Sequence, residues 1–213
     1  KEGKVKLLDR GGGDISGSIL AQCLEADLYE NWTDVSGFLS ADPRIVEGAQ
    51  PIPRITYEEL RELSYMGASV LHEEAVFPVR DAGIPLVIKN TNAPEDPGTI
   101  ISETAKEGDS EPIITGIAGK KGFCSVNIEK DMMNTEIGFG RKVLQAFEEN
   151  GISFEHVPSG IDTMTVFIHQ TEFVAHEQQV IAGIHRAVAP DLIDLESDLA
   201  LVAVVGRGMK GSR

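Results

Sequence analysis

Two stretches carry residues whose types and spacing suit chemistry on an anionic ligand. The first is Arg10-Gly11-Gly12-Gly13-Asp14. Successive glycines leave backbone N–H groups unshielded and reach dihedrals that other residues avoid. An apolar-periodic segment follows at once, with Ile15, Ile19, Leu20 and Cys23 at helical spacing. A glycine turn that feeds a helix N-terminus attracts anions, because free N–H groups and the positive end of the helix dipole point the same way. Arg10 adds a planar cation suited to carboxylate or phosphate, and Asp14 is a good N-cap. The same residues would equally serve a strand-to-helix turn that binds nothing. The second stretch is residues 33–44, which reads as a loop by its Gly, Ser and Pro content. Thr33, Asp34, Asp42 and Arg44 give it a hydroxyl, carboxylates and a guanidinium, groups that can hold a nucleotide; a solvated loop with turn-forming aspartates has the same composition.

The elements around these stretches decide where they sit. Residues 4–8 read as a short strand before the glycine turn, the helix from Asp14 runs to about Ala26, and residues 27–32 read as the next strand. This order points to an α/β domain with a parallel sheet, in which ligands lie beyond the carboxyl ends of the strands. Thr56-Tyr57-Glu58-Glu59 is a capping box before Leu60 and Leu63. Further helix is expected over 70–76, then strands at 86–90 and from Thr99, and a polar linker over 102–112 that contains Gly108 and Pro112. From Ile113 the pattern changes to strand (123–128), helix capped by Thr135, strand (153–157), strand (163–168), helix (173–188) and strands at 191–195 and 199–205. The order β-α-β-β-α-β is the ferredoxin-like arrangement, with helices on one face of an antiparallel sheet.

Composition limits the class of function. The chain has 213 residues, 41% apolar and 25% charged, and a formal net charge of −15. That charge disfavours binding to nucleic acid or to acidic membrane surfaces, which both rest on excess Lys and Arg. No apolar run reaches the roughly 20 residues of a membrane span. The two cysteines, Cys23 and Cys124, lie far apart in apolar patterns and read as buried thiols, which fits a reducing cytoplasmic compartment. The five histidines show no metal-ligand spacing; His169, His176 and His185 read as surface or packing residues.

Four strings, in order, resemble the aspartate kinase family. The glycine turn resembles its Gly-Arg-Gly-Gly-Ser-Asp segment, and residues 33–44 its Thr-Asp-Val-x-Gly-x-Tyr-x-x-Asp-Pro-Arg segment. Residues 65–72 resemble its Phe-Gly-Ala-Lys-Val-Leu-His-Pro segment, and residues 84–99 its Ile-Pro strand, Asn-Thr turn and Pro-Gly-Thr close. The resemblance implies transfer of a phosphoryl group from MgATP to the side-chain carboxylate of L-aspartate, in lysine, threonine and methionine biosynthesis under feedback inhibition. It implies part of an α/β/α amino-acid-kinase domain over residues 1–82, a segment of a second ACT unit with a linker over 83–112, a first ferredoxin-like ACT domain over 113–198, and the start of the rest of the second unit over 199–213.

By the same resemblance Asp14 is catalytic, a carboxylate at the reaction centre that organises metal or donors, Arg10, Gly11, Gly12 and Gly13 bind substrate, and Thr33, Asp34, Leu39, Arg44 and Ser69 contact ATP, with ATP and Mg²⁺ as cofactors and no residue assigned as a metal ligand. Three of these positions depart from the pattern: Gly13 stands for a serine, Leu39 for a tyrosine and Ser69 for a lysine. The family's Lys-Phe-Gly-Gly-Thr-Ser segment does not occur in the sequence, so this chain assayed alone is expected to show little or no kinase activity. In the ACT part, the effector site falls on Met133, Asn134, Glu136, Ile137, Gly138, Glu155, Ser159, Gly160 and Asp162. The three acids would meet the ammonium groups of an effector amino acid, lysine or threonine, unless they are ordinary surface charge. Such sites usually form in a homodimer joined through ACT domains. A non-catalytic, ACT-containing amino-acid-binding subunit is the alternative reading. A kinase for glutamate or acetylglutamate is a third, disfavoured by the Thr-Asp-Val-x-Gly and Asp-Pro-Arg combination ahead of ACT domains.

Overall fold

The computed structural model describes residues 12–68, 70–71, 73–104 and 113–210. Arg10, Gly11, Ser69 and His72, the strand expected at 4–8 and most of the expected linker lie outside the described residues. The described residues form a mixed α/β fold with two four-stranded sheets. They divide into two compact units, Lys1–Gly119 with Val202–Arg213, and Lys120–Leu201.

In the first unit, α1 (Gly12–Cys23) leads to β1 (Tyr29–Thr33), then β2 (Arg54–Thr56), α2 (Tyr57–Tyr65), a 3-10 turn (Glu73–Val76), α3 (Phe77–Asp81), β3 (Leu86–Asn90) and β4 (Thr99–Ser102). The sheet order is β1-β3-β4-β2. β1 and β3 are parallel, with Tyr29 opposite Leu86 and Thr33 opposite Asn90. β4 runs antiparallel to β3 and parallel to β2, so the sheet is mixed where a parallel one was expected. Phe38, Ile55, Leu60, Leu63, Leu86, Ile88 and Ile101 are its largest buried apolar residues. The capping box forms as the sequence predicts: Thr56 Oγ1 accepts from the Glu59 N–H, and the Glu59 carboxylate accepts from the Thr56 N–H.

Several expectations are corrected here. Gly12, Gly13 and Asp14 are already helical, so Asp14 lies inside α1 and is no N-cap; the dihedral freedom of the glycines is compatible with helix as well as turn. Among the described residues of 70–76, Glu73–Val76 make a 3-10 turn before α3, whose first turn takes Pro78, where a missing N–H costs nothing. β3 and β4 lie in the same sheet as β1 and β2, and the two compact units divide at Gly119/Lys120.

The second unit contains most of β5 (Gly116–Glu129), then α4 (Phe139–Glu148), β6 (Phe154–His156), β7 (Thr163–His169), α5 (Gln170–Val174), α6 (Glu177–Val188) and most of β8 (Leu192–Val205). Its sheet order is β6-β7-β5-β8. β5 and β7 are antiparallel from Phe123 opposite His169 to Glu129 opposite Thr163. Alternate residues Cys124, Val126, Ile128, Met164, Val166 and Ile168 point into one core with Phe139, Val143 and Phe147 of α4 and Val180, Ile184 and Val188 of α6. This is the period-2 and period-3.6 burial that puts both helices on one face. Gly183 lets them approach, since a Cβ there would meet the Ala146 Cβ at 3.0 Å. The helix expected from Thr135 starts instead at Phe139 behind Gly138, whose φ of 78° ends the Met133–Thr135 turn. The two C-terminal strands expected at 191–195 and 199–205 are one, bent at Asp198 with φ 58°. The helix expected over 173–188 is split into α5 and α6.

The cysteines differ from expectation and from each other. Cys124 is buried and free, but Cys23, in the last turn of α1, is exposed. Burial, with the nearby Glu177 charge, pushes the Cys124 thiol up to about 11, and the thiolate is the reactive form. At pH 8, a thiol-specific reagent such as Ellman's is expected to modify Cys23 within minutes and Cys124 only after denaturant is added; equal rates for both would contradict the placement.

Candidate functional site

Asp14 is tied to the sheet by β1. Asn31, 8% exposed, donates from Nδ2 to Asp14 Oδ1 at 2.9 Å. The Tyr29 hydroxyl donates to the Asp14 carbonyl oxygen at 3.3 Å. Tyr29, Asn31 and Thr33 alternate along β1 and so share the face that α1 covers. Gly17 admits the Tyr29 ring, since a Cβ there would lie 3.0 Å from ring carbons. The strand thus fixes the first turn of α1, with Asp14 Oδ1 taken by Asn31. Asn31 and Tyr29, expected only as strand residues, are functional neighbours of Asp14; the one signal for them is polar residues spaced by two ahead of Thr33.

Beyond Thr33 the chain enters the loop over 33–44. Thr33 Oγ1 donates to Asp34 Oδ1 at 3.2 Å. The Thr33 carbonyl oxygen accepts from the N–H of Thr91 at 2.8 Å and from the Thr91 hydroxyl. The parallel pairing puts the carboxyl ends of β1 and β3 side by side, where ligands of α/β sheets gather. Gly37 has φ 93°, and a Cβ there would sit 2.7 Å from the Thr99 N. Thr99 Oγ1, fully buried, accepts from the Phe38 N–H at 2.8 Å and donates to the Ile52 carbonyl at 2.7 Å. Trp32, on the opposite face of β1, is half-exposed with Lys89 Nζ 5.7 Å from its ring centroid.

The remaining expected nucleotide contacts sit differently. Leu39 makes an isolated antiparallel bridge with Pro51. Arg44 is turned to Asp42: Nη2 lies 2.7 Å from Asp42 Oδ2 and Nε 3.0 Å from Oδ1, with the Arg44 side chain 86% exposed. The hydrogen bond from Arg44 holds the Asp42 carboxyl below its usual range. A phosphate at Arg44 would therefore compete with Asp42.

In the second unit, the expected effector residues fall into two groups. The Met133–Thr135 turn and the 159–162 loop are brought together: the Asn134 N–H donates to the Ile161 carbonyl at 3.1 Å and the Met132 N–H to Asp162 Oδ1 at 3.0 Å. Ser159 bridges Met164, Gly160 donates to the Thr163 carbonyl, and Ile137 is 95% exposed beside Gly138. Glu155 lies apart on β6, where its Oε1 is 3.1 Å from His169 Nε2. The three acids expected to meet an ammonium group already have partners. Glu136 binds Lys130 and Lys142, each at 2.6 Å, Asp162 caps a backbone N–H, and Glu155 faces His169.

Glu136 carries a pH prediction. Hydrogen bonds from Lys130 first, then Lys142, hold its carboxyl below the ordinary 4.5 of a glutamate. A depressed carboxyl pKa contributes stability above the unfolded-state value and loses it as pH falls through the folded one. Acid titration followed by the amide resonances of the second unit should show a step below about pH 4.5, which Glu136→Gln removes; an unchanged acid limb in that variant would contradict the ion pairs.

Among the described residues, no cluster of three or more His, Cys, Asp or Glu side chains is suited to a metal ion, and no helix is long and apolar enough to cross a membrane.

Residues 1–90 match the family model for the amino acid kinase family. The chain is 48% identical over 211 residues to aspartokinase 3 of Bacillus subtilis (strain 168), covering 99% of this chain and 46% of that protein. It is 32% identical over 209 residues to the chloroplastic aspartokinase 3 of Arabidopsis thaliana, covering 95% and 37%. Among solved structures, the aspartate kinase of Clostridium acetobutylicum superposes with a TM-score of 0.91 at 52% identity, over 99% of this chain and 48% of that one. E. coli aspartokinase III, in complex with lysine and aspartate, does so with a TM-score of 0.73 at 26% identity, over 94% and 44%. The chain spans about half the length, or less, of these curated relatives. Its homologues over almost all of its length are aspartokinases.

Proposed function

We propose that this chain is a stretch of an aspartokinase, carrying part of the kinase domain and an amino-acid-sensing regulatory domain. The single observation that carries the reading is the pairing of an α1 first turn, held by β1 through Asp14, with a hydroxyl- and carboxylate-bearing loop at the carboxyl end of the same strand. Kinship to aspartokinases supports it. The reaction we assign is transfer of the γ-phosphoryl group of ATP to the side-chain carboxylate of L-aspartate, in lysine and threonine biosynthesis. Such transfer needs positioning and charge neutralisation more than covalent chemistry.

Within that reading, the first turn of α1 offers backbone N–H groups to the carboxylate or moving phosphate, and Arg10, just before it, takes the substrate carboxylate. Asp14, oriented by Asn31, leaves Oδ2 for a donor or cation at the reaction centre. Thr33 and Asp34 hold the nucleotide. Mg²⁺ travels with ATP and neutralises phosphate charge; as a hard cation it takes oxygen ligands, mostly from phosphates and water, which fits a site with few convergent carboxylates. Arg44 joins the nucleotide by exchanging Asp42 for a phosphate oxygen.

The second unit we read as an ACT domain. The β-α-β-β-α-β order and the strand order β6-β7-β5-β8 support this, since both belong to the ferredoxin-like arrangement. Its effector would enter beside the 133–138 turn and the 159–162 loop, with feedback inhibition by lysine or threonine and assembly through ACT domains as the family-level expectation. Because Glu136 and Asp162 have partners already, effector binding here proceeds by exchange of hydrogen bonds rather than capture by free carboxylates. A cytoplasmic setting suits the free thiols.

Calorimetric titration of the chain with an ATP analogue plus Mg²⁺, with lysine and with threonine tests both halves. Nucleotide binding that Asp34→Ala weakens supports the kinase reading. Lysine or threonine binding without nucleotide binding would favour an amino-acid-binding regulatory subunit. Binding of none of the three would sink the proposal.

A further inference from the structure

The loop over 33–40 does not hold its shape alone. Its Ser36 hydroxyl donates to Asp96 Oδ2 and accepts from Asn90 Nδ2 at 2.9 Å. Asp96 stands in the turn between β3 and β4 and is itself fixed, because Lys89 Nζ donates to its carbonyl oxygen at 2.6 Å and its N–H donates to the Ala93 carbonyl at 3.1 Å. The relay therefore starts on β3, passes through Asp96 and ends on Ser36. Three features give it direction. Ser36 is two residues beyond Asp34, so fixing Ser36 limits the positions open to Thr33 and Asp34. Asp96 is 60 residues away in sequence, so the tie closes a long loop rather than a local turn. Ser36 and Asp96 are partly buried, where a hydrogen bond to an ionised carboxylate is strong and geometrically demanding.

We infer that Asp96 is a positioning residue for nucleotide: acting through Ser36, it holds the 33–40 loop so that Asp34 stays beside Thr33 at the carboxyl end of β1. The inference rests on the reading of that loop as the nucleotide segment. It assigns Asp96 no contact with ATP; its effect reaches the nucleotide only through Ser36 and the loop backbone. The geometry requires an acceptor at Asp96 and not a charge, so an amide oxygen in the same place serves.

The test uses the chain with three variants, Asp96→Ala, Asp96→Asn and Ser36→Ala, and two readouts. The first is amide hydrogen exchange. Asp96→Ala and Ser36→Ala should speed exchange at the hydrogen-bonded amides of Phe38 and Ser40 by about tenfold, as expected for losing one charge-assisted hydrogen bond. Exchange at Asn31 and Ile88, inside β1 and β3, should be unchanged. Asp96→Asn should restore slow exchange, which a role in bulk folding or in charge balance would not do. The second readout is the affinity for AMP-PNP with Mg²⁺, which should weaken by about tenfold in the two alanine variants and recover in Asp96→Asn. Unchanged loop exchange in Asp96→Ala overturns the positioning role, as does a failure of Asp96→Asn to rescue. Faster loop exchange in a chain whose unsubstituted form binds no nucleotide leaves the clamp standing and overturns the nucleotide reading on which its purpose rests.

Discussion

Glu59→Ala is expected to destabilise the first unit by about 3–5 kcal/mol, the cost of removing one partner from a buried ion pair. Glu59 is 4% exposed and has every carboxylate oxygen in use. Oε1 accepts from Thr115 Oγ1 at 2.6 Å; Oε2 accepts from the Thr56 N–H at 2.8 Å and Oγ1 at 3.1 Å, and faces Arg207 Nε at 3.2 Å. Alanine removes the capping box of α2, strands the Thr115 hydroxyl in the interior and takes away the carboxylate that faces the mostly buried Arg207 Nε. The cap alone accounts for about 1 kcal/mol, so the larger part comes from the buried polar groups. Glu59→Gln keeps an acceptor oxygen and should cost less than half as much. Urea unfolding checks both: an alanine variant within about 1 kcal/mol of the unsubstituted chain would mean the network contributes no more than its cap.

Gly98→Ala is the second large expectation, at about 3 kcal/mol. Gly98 has φ 72°, and a Cβ there would overlap the Ile88 carbonyl oxygen, a backbone atom in β3 that cannot move aside cheaply. Gly83 provides the control: its φ is 68°, but a Cβ there meets nothing within 4 Å. Gly83→Ala should cost only the left-handed backbone penalty, about 1 kcal/mol. The difference between the two variants isolates the steric part, and equal losses would contradict the close approach of the β3–β4 turn. Gly98 precedes Thr99, whose hydroxyl holds Phe38. Its replacement is therefore also expected to disturb the 33–40 loop, as Gly83→Ala is not.

These two sites mark what could be read from sequence and what could not. The Thr56–Glu59 capping box was legible because its partners lie three residues apart. The same Glu59 bonds Thr115 and Arg207, which no spacing rule connects to it. Period-2 burial along β5 and β7, with helical burial on α4 and α6, was legible for the same reason: each face is set by local periodicity. The mixed direction of the first sheet was not, because β3 and β4 read as an extended pair wherever they dock, and only their pairing with β1 and β2 puts them in that sheet. Helix at Gly12 and Gly13 is not legible from sequence because a Gly-Gly-Gly string favours a turn by dihedral freedom alone, while tertiary contact with β1 through Asp14 and Tyr29 supports helix there. Cys23 was misplaced because helical periodicity locates a face without showing what covers it. The partners of Asp14 and of Ser36 come from other elements, so the ring of polar residues around the candidate site became visible only with the fold.

The central claim is that nucleotide binds where the first turn of α1 meets the carboxyl end of β1. A ¹⁵N-resolved NMR titration of the chain with AMP-PNP and Mg²⁺ tests it most directly. The account predicts saturable shifts at the amides of Gly13, Asp14, Thr33, Asp34 and Ser36, with the second unit unmoved. Saturable shifts confined to the second unit, or none at all at millimolar nucleotide, would contradict it.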